Sequence, residues 1–174
     1  GLLHEAHPPG KDLVMGLASY PYAMPTFKYM VGTLRLAGYD GHIILGVHPQ
    51  MPKAERDYLI ANQVSFYATT MTPCVLPFKT QVQGNMVRDK CSGYLPHLKL
   101  EWARYEMAMH WLYQCKECTG WAVVVDTRDI MFQATEKGKW KSFSEFLGPP
   151  PKPTDTGPDV KDLYLVEEYM GPPH

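Results

Sequence analysis

Three short runs are apolar almost without interruption: Leu13-Val14-Met15-Gly16-Leu17-Ala18, His42-Ile43-Ile44-Leu45-Gly46-Val47 and Val64-Ser65-Phe66-Tyr67-Ala68-Thr69. A strand with one wet face alternates apolar and polar residues; a run that does not alternate is buried on both faces. The segments between these runs read as helices. Pro25 can open the first, since its missing N–H is not needed in a first turn. Phe27, Met30, Val31 and Leu34 then recur at helical spacing, with Lys28 and Arg35 expected to turn away, and Gly38 is a natural stop. Pro49 and Pro52 punctuate the next loop, and Lys53 to Ala61 forms a second amphipathic helix followed by Asn62. Helical connections of this length are what parallel neighbouring strands require. The predicted fold class is therefore α/β, a mainly parallel sheet flanked by helices.

Past Thr69 the rhythm breaks. Residues 70–96 carry Pro73, Pro77, Gly84, Gly93 and Pro96 with no clear period, and read as an irregular insertion. Leu98, Trp102, Tyr105, Met109 and Leu112 step by four and three, which predicts a helix with those residues on its core face. Thr119-Gly120 is its expected end. Trp121-Ala122-Val123-Val124-Val125-Asp126 is the strongest strand signal, and Ile130-Met131-Phe132 continues the apolar pattern. Gly148 to Pro158 holds five prolines in eleven residues and reads as a linker or exposed loop. The predicted organisation is an irregular lead-in over 1–12, an α/β domain over 13–147 containing the 70–96 insertion, a Pro-rich stretch over 148–162, and a last strand and tail over 163–174. That strand is Leu163-Tyr164-Leu165-Val166, and Glu167 and Glu168 after it read as a solvated strand end.

Composition narrows the function classes. With 45% hydrophobic and 20% charged residues, the 174-residue chain is neither a disordered nor a coiled-coil sequence. No apolar run reaches the ~18 residues a membrane helix needs, so no membrane segment is expected. A net charge of −1 without blocks of like charge argues against broad binding to nucleic acid or to an anionic membrane. The chain opens at Gly1 without Met or a signal peptide, as a fragment would.

Right-handed crossovers carry the first three strands progressively to one side. If the fourth returns beside the first, the order reverses between them, and ligands of open α/β sheets bind at that crevice, outside the carboxyl ends of the strands. Ser19-Tyr20-Pro21-Tyr22 and Asp126-Thr127-Arg128-Asp129 would then line one cleft. Two aspartates at a strand end offer hard oxygens of the kind that hold Mg2+ or Mn2+ while substrate phosphates complete the shell. Arg128 between them suits a phosphate. Against this, an Asp after a strand is often a helix cap or turn former.

The string Trp121-Ala122-Val123-Val124-Val125-Asp126-Thr127-Arg128-Asp129-Ile130-Met131-Phe132-Gln133 resembles the aspartate motif of GT-A-type nucleotide-diphospho-sugar transferases, with the Glu101–Tyr105 helix and the Ser19-Tyr20-Pro21 strand end in matching places. The resemblance spans Leu13 to about Gln133. It implies the Rossmann-like, nucleotide-sugar-binding half of a GT-A fold and transfer of a sugar from a nucleotide donor to a glycan or protein acceptor. Mn2+ (or Mg2+) would be held by Asp126 and Asp129, with Asp126 also beside the donor's ribose or sugar. Arg104 and Arg128 would approach the nucleotide or its phosphates, and Ser19 and Tyr20 its base and ribose. No catalytic residue is assigned. The family's usual string is D-x-D, whereas here the aspartates are three apart. Transferases of this fold continue past the fifth strand with acceptor-binding elements, so a truncated or non-catalytic module of the same fold is the first alternative. A metal-dependent phosphoryl-transfer enzyme or hydrolase using Asp126 is the second.

Four cysteines remain. Cys115-x-x-Cys118 lies at a helix end rather than the helix start of thioredoxin-like sites, and a zinc site would need a second close pair, which Cys74 and Cys91 are too widely spaced to supply. Structural disulfides Cys74–Cys91 and Cys115–Cys118 are the favoured reading, with free buried thiols as the alternative. Disulfides would suit the lumen of the secretory pathway or Golgi. His4, His7 and His174 read as solvated, His110 beside Trp111 as partly buried packing, and His48 as a flank of the cleft. The methionines and tryptophans read as core.

Overall fold

A computed structural model describes residues 1–18, 24–73, 90–92, 100–128, 130–133 and 142–151. Its centre is a five-stranded mixed sheet: β1 (Leu2–His4), β2 (Leu13–Ala18), β3 (His42–Val47), β4 (Val64–Ala68) and, after a separate two-stranded antiparallel pair β5 (Met71–Pro73) and β6 (Lys90–Ser92), β7 (Ala122–Val125). The order is β1-β4-β3-β2-β7. β2 pairs in parallel with β3 and with β7, β3 pairs in parallel with β4, and only β1 runs antiparallel. The chain is α/β, and the sheet order does reverse between β2 and β7.

The unbroken apolar runs are explained by two cores, one on each face. Val14, Ala18, Ile43, Leu45, Val47, Val64 and Phe66 face the side covered by Phe27, Met30, Val31, Leu34 and Leu59. Leu13, Met15, Ile44 and Tyr67 face the side covered by Ala103, Met107, Ala108 and Trp111. Successive strand residues alternate between these cores because the strand period is two.

The first covering layer is α1 (Met24–Phe27), a π-helical stretch Lys28–Gly32, α2 (Thr33–Leu36) and α3 (Lys53–Ala61). At Gly32 a Cβ would come 2.6 Å from Tyr58 Oη, so the glycine admits the α3 tyrosine against the π turn. Gly38 ends α2 at φ +92°, with Tyr39 N–H bonded back to Leu34 O at 3.2 Å. The second layer is α4 (Leu100–Gln114), and a short α5 (Phe143–Leu147) follows β7.

Several expectations are corrected. The 1–12 lead-in is not wholly irregular: Leu2–His4 pairs with β4, because Phe66 and Tyr67 leave an open strand edge there. The 70–96 insertion contains the β5–β6 pair. Two of the stepped apolar residues of α4 are not on its core face: Tyr105 and Met109 are 49% and 51% exposed, while Leu112 packs against the core beside the buried Ala103, Met107, Ala108 and Trp111. Small residues at 103 and 108 let the helix approach the sheet, and hydrophobicity alone does not register that. His110 beside Trp111 is exposed. Met109 and Met131 are not core residues, although Ile130 and Phe132 on either side of Met131 do pack inward. His4 is half-buried, its ring 5.4 Å from that of Phe66.

Arg35 does not turn away either. Its guanidinium donates to the carbonyls of Tyr39, Gly41, Asn62 and Gln63 at 2.8–3.0 Å, tying the end of α2 to the turn between α3 and β4. Burial lowers its pKa, partly offset by Tyr39 and Asp40. Asp12 does similar work for three segments. Its carboxylate accepts from Trp121 N at 3.0 Å and Phe143 N at 3.1 Å, and its carbonyl accepts from His42 N at 2.8 Å.

Candidate functional site at the sheet reversal

β2 and β7 run in register from Leu13 opposite Ala122 to Gly16 opposite Val125. The carboxyl end of β7 therefore falls level with the last residues of β2, and the Asp126-Thr127-Arg128 turn lies over that edge. The turn is pinned by Thr127, the least expected residue of the motif. Its side chain is 2% exposed and its hydroxyl donates to Leu17 O at 2.6 Å. Its methyl lies over Gly16, where a Cβ would meet Thr127 Cγ2 at 2.3 Å. A glycine inside a strand that lets another segment approach closely is the recognisable signal for this contact. Ile130 and Phe132 pack against the first core, with Phe132 N donating to Thr33 Oγ1 at 2.9 Å.

Asp126 is exposed, and its Oδ1 accepts from Arg128 N at 3.0 Å, closing an Asx turn that leaves Asp126 and Arg128 at the surface. The turn-former reading of Asp126 is thus part of the geometry, and it is compatible with a second, ligand-directed role for an exposed carboxylate. Arg128 is exposed beside it. Arg104, near the start of α4, is half-buried. Its Nη2 is 3.1 Å from Tyr105 Oη, its guanidinium carbon lies 5.0 Å from that ring's centroid, and its buried Nε has no hydrogen-bond partner among the described residues. Ser19 and Tyr20 follow directly on Ala18 but lie outside the described residues, as does Asp129. His48 is exposed after β3, its Nδ1 accepting from Gln50 N at 3.2 Å.

At the opposite, amino-terminal edge of the sheet, Cys115 and Cys118 form a disulfide just past the end of α4. Cys74 and the strand end 163–168 are outside the described residues. His42, the first residue of β3, is 3% exposed beside the disulfide, with Nδ1 3.9 Å from Cys115 Sγ. Burial lowers the pKa of His42, against the opposing pull of Glu117. Among the described residues, His42, Cys115 and Cys118 are the group whose donor atoms converge as metal ligands do, all within 4.8 Å. Sequence reasoning missed His42 because it stands at the head of an apolar strand and reads as part of it.

No protein-family model matches the chain, and neither a curated protein nor a solved structure matches it. Among the described residues no helix is long and apolar enough to cross a membrane.

Proposed function

We propose that the chain is a GT-A-like, Rossmann-like α/β domain that binds a nucleotide-diphospho-sugar at the reversal between β2 and β7 and transfers the sugar to a glycan or protein acceptor. The observation that carries this reading is the Asp126-Thr127-Arg128 turn held over the carboxyl edge of two parallel strands at the point where the strand order reverses, since that crevice is the general ligand site of open α/β sheets. Asp126 and Asp129 would hold Mn2+ or Mg2+ through hard carboxylate oxygens, and the ion would supply Lewis-acid neutralisation of a diphosphate. Arg128 and Arg104 supply cationic groups for phosphate, and Ser19 and Tyr20 serve the base and ribose. Disulfide chemistry at Cys115–Cys118, with Cys74–Cys91 proposed as a second pair, suits the Golgi or secretory lumen.

Calorimetric titration of UDP and of GDP, each with and without Mn2+, tests the proposal. One nucleotide is expected to bind only with metal, and Asp129→Ala to lose that binding. Absence of binding under every condition would leave the non-catalytic module as the reading. Phosphate release from simple esters, abolished in Asp126→Asn, would instead favour the hydrolase.

A further inference from the structure

The Cys115–Cys118 edge has a feature that a purely structural disulfide leaves unexplained. The His42 side chain is 4% exposed and its Nε2, buried from solvent, has no hydrogen-bond partner among the described residues. A buried ring nitrogen without a hydrogen bond costs roughly 1–3 kcal/mol, which the nearby carboxylate of Glu117 offsets only in part. Its other nitrogen, Nδ1, faces the sulfur pair at 3.9 Å from Cys115 Sγ. Glu117, between the cysteines, brings Oε2 to 3.8 Å from Nε2 and to 3.3 Å from His7 Nδ1. A cavity of ≈ 210 Å3 opens beside them, lined among others by His7, His42, Gln114, Cys115 and Glu117.

We propose that the reduced chain binds one zinc ion here, through the two thiolates of Cys115 and Cys118 and Nδ1 of His42, with water from the cavity in the fourth position. The C-x-x-C spacing is that of half a zinc site, and β3 supplies the third ligand that no second cysteine pair provides. With Zn–S of about 2.3 Å and Zn–N of about 2.0 Å, tetrahedral geometry sets sulfur and nitrogen about 3.5 Å apart, a few tenths of an ångström from the observed separation. Two thiolates and an imidazole select a soft or borderline cation over Mn2+ or Mg2+. Glu117, 3.8 Å from Nε2, would need to move only a few tenths of an ångström to accept the other N–H of the metal-bound histidine and fix its tautomer.

The site is gated by oxidation state. A dithiol reductant passes two electrons and two protons to the disulfide, becoming a disulfide itself and leaving two thiols on the protein. Zn2+ then displaces both thiol protons and forms two Zn–S bonds. A disulfide oxidant that takes up two electrons and two protons, becoming a dithiol, returns the bridge and expels the ion.

The test uses the full chain, reduced with a phosphine and titrated anaerobically with Co2+ as a spectroscopic stand-in for Zn2+. One equivalent is expected to give a thiolate-to-cobalt charge-transfer band that Zn2+ abolishes, while the oxidised chain gives none. Cys74→Ser/Cys91→Ser keeps the band, Cys115→Ser/Cys118→Ser loses it, and His42→Gln weakens binding more than tenfold. Glu117→Gln, at an exposed position, weakens it about tenfold. No band in the reduced wild type, a band surviving in Cys115→Ser/Cys118→Ser, or wild-type affinity in His42→Gln would overturn the proposal. If His42→Gln does not fold, the imidazole nitrogen resonances of the wild type decide: Zn2+ must shift those of His42, and unshifted resonances overturn the proposal equally.

Discussion

Tyr39 is 3% exposed, and its hydroxyl donates to His42 O at 3.1 Å within the cluster formed by Asp12, Arg35 and Asp40. Burial, reinforced by Asp12, pushes its pKa far above the usual tyrosine value despite the opposing Arg35. In the unfolded chain the phenol ionises near pH 10, while in the folded chain it stays protonated. Its contribution is therefore fully present below about pH 10 and is lost as pH rises further, at about 1.4 kcal/mol per pH unit for one proton. Tyr39→Phe is expected to lower stability at neutral pH by about 1 kcal/mol through the lost hydrogen bond, and to flatten the alkaline slope by about one proton. Urea unfolding between pH 8 and 11 measures both, and an unchanged slope in the variant contradicts the burial account. The phenols of Tyr58 and Tyr67 are also raised by burial and add to the slope that remains.

At the scale of elements, the decisive contact is that of Thr127 with Gly16. Because a Cβ at residue 16 would lie 2.3 Å from Thr127 Cγ2 and 3.3 Å from Val125 O, Gly16→Ala cannot be absorbed without lifting the turn off β2. The expected loss is about 1–3 kcal/mol, the range for overpacking in a filled core. Adding Thr127→Ser removes the clashing methyl while keeping the hydroxyl that bonds Leu17 O, so the double variant should be more stable than Gly16→Ala alone. Additive losses in a double-mutant cycle would show that the two residues do not bear on each other. The same contact links packing to the proposed site, since the turn it holds carries Asp126 and Arg128.

Across the whole molecule, burial is uneven. β3 is buried along its entire length, whereas β7 is exposed at Ala122 and only half-buried over Val123–Val125. Among the described residues β7 borders β2 alone and forms the end of the sheet on that side. Native-state hydrogen exchange should therefore find the β3 amides of Ile44 and Leu45 opening only with global unfolding, and those of Val123 to Val125 opening at a free energy several kcal/mol lower. Equal protection of the two strands would mean that the edge carrying the Asp126-Thr127-Arg128 turn is as rigid as the centre. A less stable edge beside the crevice is what a site that closes on a ligand requires.

Much of this fold is legible along the chain because it rests on local patterns. The bounds of β2, β3 and α3, the stop at Gly38 and the existence of α4 follow from apolar runs, helical spacing and turn residues, signals that act over a few positions. The outward face of α4 and the inward path of Arg35 were not legible, since each depends on partners supplied by distant strands and loops. Three segments meeting at Asp12, the close approach of Thr127 to Gly16, and the convergence of His42 on Cys115 and Cys118 join residues far apart in the chain. The sequence by itself determined that strands and helices alternate and that the strands are covered on both faces, because periodicity and hydrophobicity are properties of neighbours. Only the tertiary structure decided that β7 returns beside β2 and which side chains share an edge, because such proximity is set by strand order and packing, which no local pattern encodes.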